Sequence, residues 1–166
     1  QFPNSSNNVV FADVKRGKDI IRVYNMHLQS IKISPDVTEI DENIDAINQG
    51  GKSQKLFTRI SKAFMQQQHQ AEIFKEHKKD CPYPLIICGD MNNSAFSYVY
   101  RNIKGKLKDS FEEAGKGFGA TYKFRHYPAR IDYIFADAKM KVKKFESFPD
   151  FENSDHYPIM ARLSME

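Results

Sequence analysis

The stretch Ser154-Asp155-His156-Tyr157-Pro158-Ile159 lies near the C-terminus of a chain of 166 residues. An acid and an imidazole stand side by side between a small polar residue and a Tyr-Pro pair, and an alternating run follows at 159–163. Proline and small polar residues are typical of loops, and the alternation predicts a strand. The stretch therefore predicts a loop that carries two chemically capable side chains to the start of a final strand.

Three further stretches combine apolar runs with isolated polar side chains. Residues 86–93 (IICGDMNN) end in a turn with Asp90 and Asn92, residues 130–135 (RIDYIF) contain the acid Asp132, and residues 23–28 (VYNMHL) carry Asn25 and His27. Nearly all of these side chains fall at the ends of predicted strands, where open α/β sheets bind their ligands. The four stretches together therefore predict one shared site.

The four stretches resemble the endonuclease/exonuclease/phosphatase family, the deoxyribonuclease I-like metal-dependent phosphoesterases. The N-x-H-L, G-D-x-N, I-D-Y-I and S-D-H-Y-P motifs of that family occur here in family order. One motif alone is a weak signal, whereas four in order over most of the chain are a strong one. The resemblance implies a deoxyribonuclease I-like sandwich of packed sheets flanked by helices, formed by residues 1–166 as a single domain.

The order of elements predicts the same class of fold from the residues. Alternation predicts a hairpin from strands at 9–14 and 20–28, and a helical stripe begins at Lys52. A short apolar run at 85–88 predicts a central strand covered on both faces. Further elements are predicted as helices at 95–103 and within 107–114, and strands at 131–135, 139–148 and 159–163. This order predicts an α/β fold of the α+β type, with a layered arrangement of mixed or antiparallel sheets.

Two stretches have no sustained pattern. Residues 34–50 hold five acids and no Lys or Arg, and residues 29–51 are interpreted as a loop, with 34–51 predicted to be mobile or held by few contacts. Gln66-Gln67-Gln68 interrupts the apolar stripe of the helix, which indicates a bend or a solvated turn.

Composition limits the class of protein only broadly. Hydrophobic residues make up 40% and aromatic residues 13% of a chain with a net charge of +4, which is typical of a folded domain. The basic part outside 34–50 suits a phosphate-bearing substrate, but an ordinary solvated surface explains it equally well. Two cysteines give no disulfide framework, and no stretch predicts a membrane-spanning helix. Localisation and oligomeric state stay open.

The start of the chain departs from the family pattern. Family members are usually longer, and their early part supplies a metal-binding Glu, whereas the first Glu here, Glu39, follows the N-x-H-L stretch. The resemblance therefore predicts that the chain is the C-terminal part of a longer, N-terminally truncated domain. Residues 1–166 alone are then expected to bind metal weakly and to be inactive or nearly so.

Asn25 and His27 allow two interpretations. They share one strand face with Ile21 and Val23 by the period of two. They are either satisfied polar residues at the rim of a sheet or part of a site. The residues alone favour the first interpretation, and the family resemblance favours the second.

Asp132 and His156 are predicted to pair. An acid between Ile131 and Tyr133 in a strand is partly buried, and it is costly there without a partner. An imidazole from a neighbouring loop can accept this role, and the carboxylate then orients the ring and raises its pKa.

The family resemblance implies a role for each of these side chains. His156 faces the scissile phosphate with Asp132 as its partner, Asp90 positions or activates the attacking water, and Asn25 and His27 complete the phosphate pocket. Substrate contacts are implied for Asn25, Asn92 and Arg130, and a divalent cation, Mg²⁺ or Mn²⁺, for Asp155 and Asp90. The catalytic set is therefore Asn25, His27, Asp90, Asn92, Asp132 and His156. Which histidine is the acid and which the base stays open.

Two functions from different classes follow. The first is metal-dependent hydrolysis of a phosphoester in a nucleic acid, an inositol phosphate or a phospholipid head group, with the absence of a basic stripe and of Trp disfavouring a dedicated duplex-DNA enzyme. The second is a non-catalytic fragment that binds phosphate or a partner. A nucleic-acid binding module is a weaker third interpretation, because no binding motif is present.

Overall fold

A computed structural model describes residues 1–31, 52–124 and 128–165 of the protein. The prediction for residues 34–51 lies outside these ranges. The elements in chain order are β1 (Asn8–Arg16), β2 (Asp19–His27), α1 (Lys52–Lys79), β3 (Leu85–Asp90), α2 (Tyr98–Lys104), β4 (Lys108–Asp109), α3 (Ser110–Ala114), β5 (Asp132–Ala136), β6 (Met140–Ser147) and β7 (Ile159–Met165).

The strands form two sheets. The larger has five strands in the order β1-β2-β3-β5-β4, and β6 and β7 form a separate antiparallel pair. Within the larger sheet β2 and β3 are parallel, whereas the β1–β2, β3–β5 and β4–β5 pairs are antiparallel. The predicted α/β fold with mixed and antiparallel sheets is confirmed, and β3 is the central strand of its sheet.

Helix α1 connects the two parallel strands, which cannot be joined by a tight turn. It packs on one face of the sheet, where Phe74 meets Tyr24 edge-on with ring centroids 5.0 Å apart. The core of this layer also includes Met26, Leu28 and Ile87, each at most 3% exposed. Burial of such apolar side chains is the main driving force that holds helix and sheet together.

The helix covers the face of β2 that carries Tyr24, and not the face that Ile21 and Val23 share with Asn25 and His27. Tyr24 is fully buried there, whereas Asn25 and His27 point to the other side and are exposed. That other face is only partly covered, since Val10 on β1 is 57% exposed and Ile86 and Cys88 on β3 are half-buried. For the described residues, the predicted coverage of β3 is complete on the face of Ile87 and partial on the face of Ile86 and Cys88.

The short elements in the middle of the chain begin at side-chain caps. The helix predicted at 95–103 begins at Tyr98, because the Ser97 hydroxyl accepts the Tyr100 backbone N–H. The helix predicted within 107–114 is preceded by β4, and the Asp109 carboxylate caps it by accepting the Phe111 N–H. None of the described helices is both long and apolar enough to cross a membrane.

Candidate active site

Three neighbouring strands place three ionisable side chains in one row. His27 ends β2 and pairs in register with Asp90 at the end of β3, which pairs in turn with Asp132 at the start of β5. Residues in register on adjacent strands point to the same face of a sheet. The parallel arrangement of β2 and β3 therefore brings the N-x-H-L and G-D-x-N stretches to one edge, as the sequence predicts.

Gly89 allows the two parallel strands to approach closely just before this row. Its φ of +137° lies in the region that favours glycine. A Cβ atom at this position would lie 1.9 Å from the backbone oxygen of Met26. The motif needs its glycine because any side chain here would push β3 away from β2.

His156 reaches the row from the loop before β7. Its Nδ1–H donates to Asp132 Oδ2 over 2.9 Å, so the predicted pairing is confirmed. The Tyr122 ring packs edge-on against the imidazole with centroids 4.9 Å apart, and the His156 backbone N–H donates to the Ser154 hydroxyl. The ring is therefore fixed on two sides, with Nε2 3.9 Å from Asp90 Oδ2.

Asp90 is held by the residue two positions later. The Asn92 backbone N–H donates to Asp90 Oδ1 over 2.7 Å, and the Asn92 side-chain amide donates to Asp90 Oδ2 over 3.0 Å. Asn92 adopts a left-handed φ of 48°, which permits this tight turn. His27 Nε2 lies 3.6 Å from Asp90 Oδ2, on the open side of the carboxylate.

The electrostatics of the row raise two pKa values. Burial, and secondarily the negative charge of Asp132, raises the pKa of Asp90 to about 6. Burial lowers the pKa of His156, but the hydrogen bond and charge of Asp132, together with Asp90 and Asp155, outweigh it and leave the pKa above its usual value. The site therefore places Asp90, whose neutral form is stabilised, beside His156, whose protonated form is stabilised.

A cavity of about 400 Å³ opens over the row. Its lining combines the polar residues His27, Asp90, Asn92, Asp155 and His156 with the largely apolar residues Ile31, Tyr122, Phe124, Ala129 and Ile131. A cavity of about 540 Å³ along α1 has no carboxylate or imidazole among its described lining residues. The smaller cavity is therefore the candidate for acid–base chemistry at a phosphate.

The structure brings five of the predicted site residues to this cavity, and Asp132 lies directly behind His156. Asn25 is on the same face of β2 as His27, but it is exposed and is not among the described residues that line the cavity. Asn92 does line it, with both amide hydrogens engaged by Leu28 O and Asp90 Oδ2.

Arg130, for which the sequence predicts a substrate contact, is engaged elsewhere. Its Nη1 donates to Asp109 Oδ2 over 2.6 Å, and the guanidinium lies 4.6 Å and 4.8 Å from the ring centroids of Phe111 and Tyr133. The side chain is 12% exposed and is not among the described cavity-lining residues. An arginine that is stacked and paired in this way is occupied as a structural cation.

The donor set fits a hard divalent cation. Asp90, Asp132 and His156 each offer a ligand atom within 4.8 Å of one another, and Asp155 lines the same cavity. Because Asp132 is hydrogen-bonded to His156, Asp90 and Asp155 are the carboxylates that the described residues offer to a cation. The raised pKa of Asp90 reflects burial and an excess of negative charge that a cation would relieve.

Two residues that contact the site were not singled out from the sequence. Tyr122 packs on His156, and Gln67 of α1 contacts the turn that follows β3. In the sequence, Tyr122 is only an aromatic residue in a predicted loop, and nothing there indicates a contact with His156. Gln67 did give a signal, because it continues the helical spacing of Ala63, Ala71 and Phe74.

Comparison with known proteins identifies one family. The sequence profile of the Endonuclease/Exonuclease/phosphatase family matches residues 23–156, which include three of the four motifs in full and the Ser154-Asp155-His156 part of the fourth. No curated protein matches the chain by sequence.

Several solved structures are similar in fold. A conserved protein of unknown function from Enterococcus faecalis is 20% identical with a TM-score of 0.67, over 95% of this chain and 56% of that one. A mannosyl-6-phosphatase from Bacteroides thetaiotaomicron is 20% identical with a TM-score of 0.52, over 90% and 53%. Danio rerio TDP2 in complex with a single-strand DNA product is 16% identical with a TM-score of 0.65, over 98% and 64%. The chain thus spans between about half and two thirds of the length of these structures.

Proposed function

The chain belongs to the endonuclease/exonuclease/phosphatase family, and from this premise we propose that the protein hydrolyses phosphoester bonds in the cavity over β2, β3 and β5. The observation that carries the proposal is the Asp132–His156 pair facing Asp90 across 3.9 Å. A structural role alone gives no reason to hold a paired imidazole against a second buried carboxylate in an open cavity.

His156 is proposed as the group that stabilises and protonates phosphate oxygen. Its raised pKa favours the imidazolium, which donates hydrogen bonds from both nitrogens. Nδ1–H is held by Asp132, so Nε2–H is the one directed to substrate. An imidazolium fixed in this way supplies charge where negative charge develops in the transition state.

Asp90 is proposed to orient the attacking water. Asn92 holds both of its oxygens, and His27 stands 3.6 Å from Oδ2 on the exposed side. Above pH 6 the carboxylate is ionised and can accept a proton from water as the nucleophile forms. His27 and Asn25 are proposed to complete the phosphate contacts at the rim of the sheet.

The proposed cofactor is Mg²⁺ or Mn²⁺, held through Asp90 and Asp155. When bound, such a cation neutralises charge on the phosphate and assists formation of the nucleophile. Among the described residues, two carboxylates are available to it, which favours weak binding, because affinity for hard cations grows with ligand charge.

The proposed substrates are phosphoesters in nucleic acid, inositol phosphates or phospholipid head groups. The apolar lining residues Tyr122, Phe124 and Ile131 suit an ester with an aromatic or apolar group next to the phosphate. This makes bis-p-nitrophenyl phosphate a suitable first substrate, because its aryl groups can contact those residues.

The proposal is tested with a substrate panel. Bis-p-nitrophenyl phosphate, plasmid DNA, an inositol phosphate and a phospholipid are each incubated with Mg²⁺, with Mn²⁺ or with chelator, using residues 1–166 and any longer form of the protein. We expect residues 1–166 alone to show little or no turnover. Any turnover should depend on metal, should be abolished by His156→Ala, and should be unchanged in Asp150→Asn, at an exposed acid outside the cavity. Folded protein in every form that turns over nothing on the panel would favour the non-catalytic alternative.

A further inference from the structure

A glutamine in the middle of α1 is completely buried behind the candidate site. Gln67 has 0% of its surface exposed. Its Nε2 donates to Gln29 O over 2.6 Å and to Asn92 O over 3.1 Å, and its Oε1 accepts from Asn93 Nδ2 over 2.8 Å. Both amide hydrogens and the carbonyl are therefore engaged, which is the full donor capacity of the side chain.

The partners of Gln67 belong to two segments that carry the reactive groups. Gln29 lies two residues after His27, and Asn92 lies two residues after Asp90. One side chain thus joins the loops that follow β2 and β3, the two parallel strands that end at the site. The carbonyls of these loops are past the last strand pairing, so the helix supplies the hydrogen bonds that the sheet no longer provides.

The turn that Gln67 holds is the one that orients Asp90. Asn92 donates its backbone N–H to Asp90 Oδ1 over 2.7 Å and its amide to Asp90 Oδ2 and Leu28 O. It does so from a left-handed conformation, φ 48°, which asparagine adopts more readily than most residues. Asn93 is fixed in the same way, between Gln67 Oε1 and the Tyr133 hydroxyl, which donates to Asn93 O.

We propose that Gln67 is a positioning residue, which fixes the Asn92–Asn93 turn so that Asp90 keeps its orientation relative to His27 and His156. The positioning itself follows from the hydrogen bonds, and its effect on turnover rests on the proposed function. Gln67 touches no reacting group, and it acts through Asn92. A shift of about 1 Å at a reacting group is enough to reduce a rate a hundredfold, so such a support matters beyond its contribution to folding.

A neighbouring glutamine supplies a matched control. Gln70 is on the same face of α1 and is 3% exposed. Its Oε1 accepts from Gln29 N over 2.8 Å and its Nε2 donates to Ser5 Oγ over 3.3 Å. It therefore resembles Gln67 in burial, helix position and hydrogen bonding, but its contacts are with the β2 loop and the N-terminal segment and not with the Asn92 turn.

The test compares Gln67→Met with Gln70→Met. Methionine keeps the length of the side chain and a high helix propensity, and it removes the amide. Amide hydrogen exchange is measured by NMR at the Asn92 backbone N–H, together with thermal stability of each variant. We expect exchange at Asn92 to be about tenfold faster in Gln67→Met, the equivalent of one lost hydrogen bond, and unchanged in Gln70→Met at a comparable loss of stability.

Two further readouts separate positioning from folding. If Gln67→Met does not fold, Gln67→Asn replaces it in the test. This variant keeps the amide but shortens the side chain by one methylene, so exchange at the Asn92 N–H should be faster than in the wild type by a smaller factor. In the phosphodiester assay, Gln67→Met should lower kcat with little change in KM. Equal exchange at Asn92 in the two methionine variants would reduce Gln67 to an ordinary satisfied core residue and overturn the inference. Faster exchange in a protein without turnover would count against the proposed function and leave the positioning intact.

Discussion

Two aspartates, the buried Asp109 and the partly buried Asp90, lie on the strands to either side of β5, near its opposite ends, and differ in what surrounds them. Asp109 pairs with Phe135 near the end of β5, is 1% exposed, and accepts hydrogen bonds from Arg130, Tyr100 and its own helix. Asp90 pairs with Asp132 at the start of β5 and is 16% exposed. Its partners are an asparagine and two histidines, with a second carboxylate alongside.

The difference separates a structural acid from a reactive one. Burial of a carboxylate is costly unless a cation and hydrogen bonds compensate it, and Arg130 does so for Asp109. For Asp90 the compensation by the described residues is incomplete, and its pKa rises to about 6 as a result. The degree of burial does not explain the difference, since the more buried acid, Asp109, is the structural one. Within the described part of the chain, the difference is that Asp109 has an arginine partner and Asp90 has none.

The largest expected effect is the loss of stability in Asp109→Asn. The substitution keeps the shape and the cap of α3 but leaves the Arg130 guanidinium, 12% exposed, without the carboxylate that is hydrogen-bonded to it. Breaking a buried ion pair in this way lowers stability by about 3–5 kcal/mol. Urea denaturation measures it, with Asp150→Asn as an exposed control. A loss below about 1 kcal/mol would show that Asp109 and Asp90 are more alike than their partners suggest.

Asp90→Asn should lower activity without lowering stability, in contrast to the loss of stability expected for Asp109→Asn. We expect kcat to fall by ~10²-fold or more, because a group that positions the nucleophile is lost. The free energy of unfolding near pH 7.5 should be unchanged or higher, because the variant removes a charge whose burial is uncompensated. Kinetics and denaturation on the same preparation test both parts. A variant that loses activity and stability together would place Asp90 with Asp109 as a structural acid.

Asp132→Asn tests the pair behind the site. Without the carboxylate, only the charges of Asp90 and Asp155 oppose the effect of burial on His156, so the pKa of its imidazole should fall below the raised wild-type value. NMR titration of the ring protons measures this shift directly, and the limb of the rate profile that requires protonated His156 should move to lower pH by the same amount. His77 is a useful internal reference, because its Nδ1 meets the Tyr24 hydroxyl and no carboxylate.

The smallest expected effect is on the pH dependence of stability, measured in the presence of a chelator. Both raised groups contribute stability that is present below the unfolded pKa and lost as pH rises through the folded pKa. For Asp90 that loss falls between its ordinary value of 3.8 and about 6, and for His156 it falls above 6.5. The urea midpoint should therefore decline from pH 5 to pH 8, and Asp90→Asn should flatten the acidic part. An unchanged slope in that variant would contradict the assigned pKa of Asp90.

The sequence predicted the site best where a physical requirement of one side chain could be met by one identifiable partner. An acid inside the apolar run 131–135 needed a partner, and His156 was the group able to provide it. It predicted least where a partner came from far along the chain. Arg130 stands beside the I-D-Y-I motif, and only the packing of β4 against β5 brings Asp109 to it.

Gln67 shows a different limit of sequence reasoning. Its spacing from Ala63 and Ala71 is helical, so its burial could have been inferred from the stripe. A glutamine scores as polar, however, and the stripe was therefore interpreted as interrupted. What covers a polar side chain depends on which backbone carbonyls lie opposite it, and those belong to Gln29 and Asn92, 38 and 25 residues away.

Gly89 has a consequence for how the protein tolerates mutation. A library that randomises each glycine and selects for function should return a single permitted amino acid at position 89, where a side chain would collide with Met26 O at 1.9 Å. At Gly17, Gly105 and Gly117 the space around the missing side chain is open, and only their positive φ restricts the choice. Among these glycines, position 89 should therefore tolerate the fewest substitutions, because β2 and β3 approach most closely there. It lies one residue before Asp90, the acid on which the site depends.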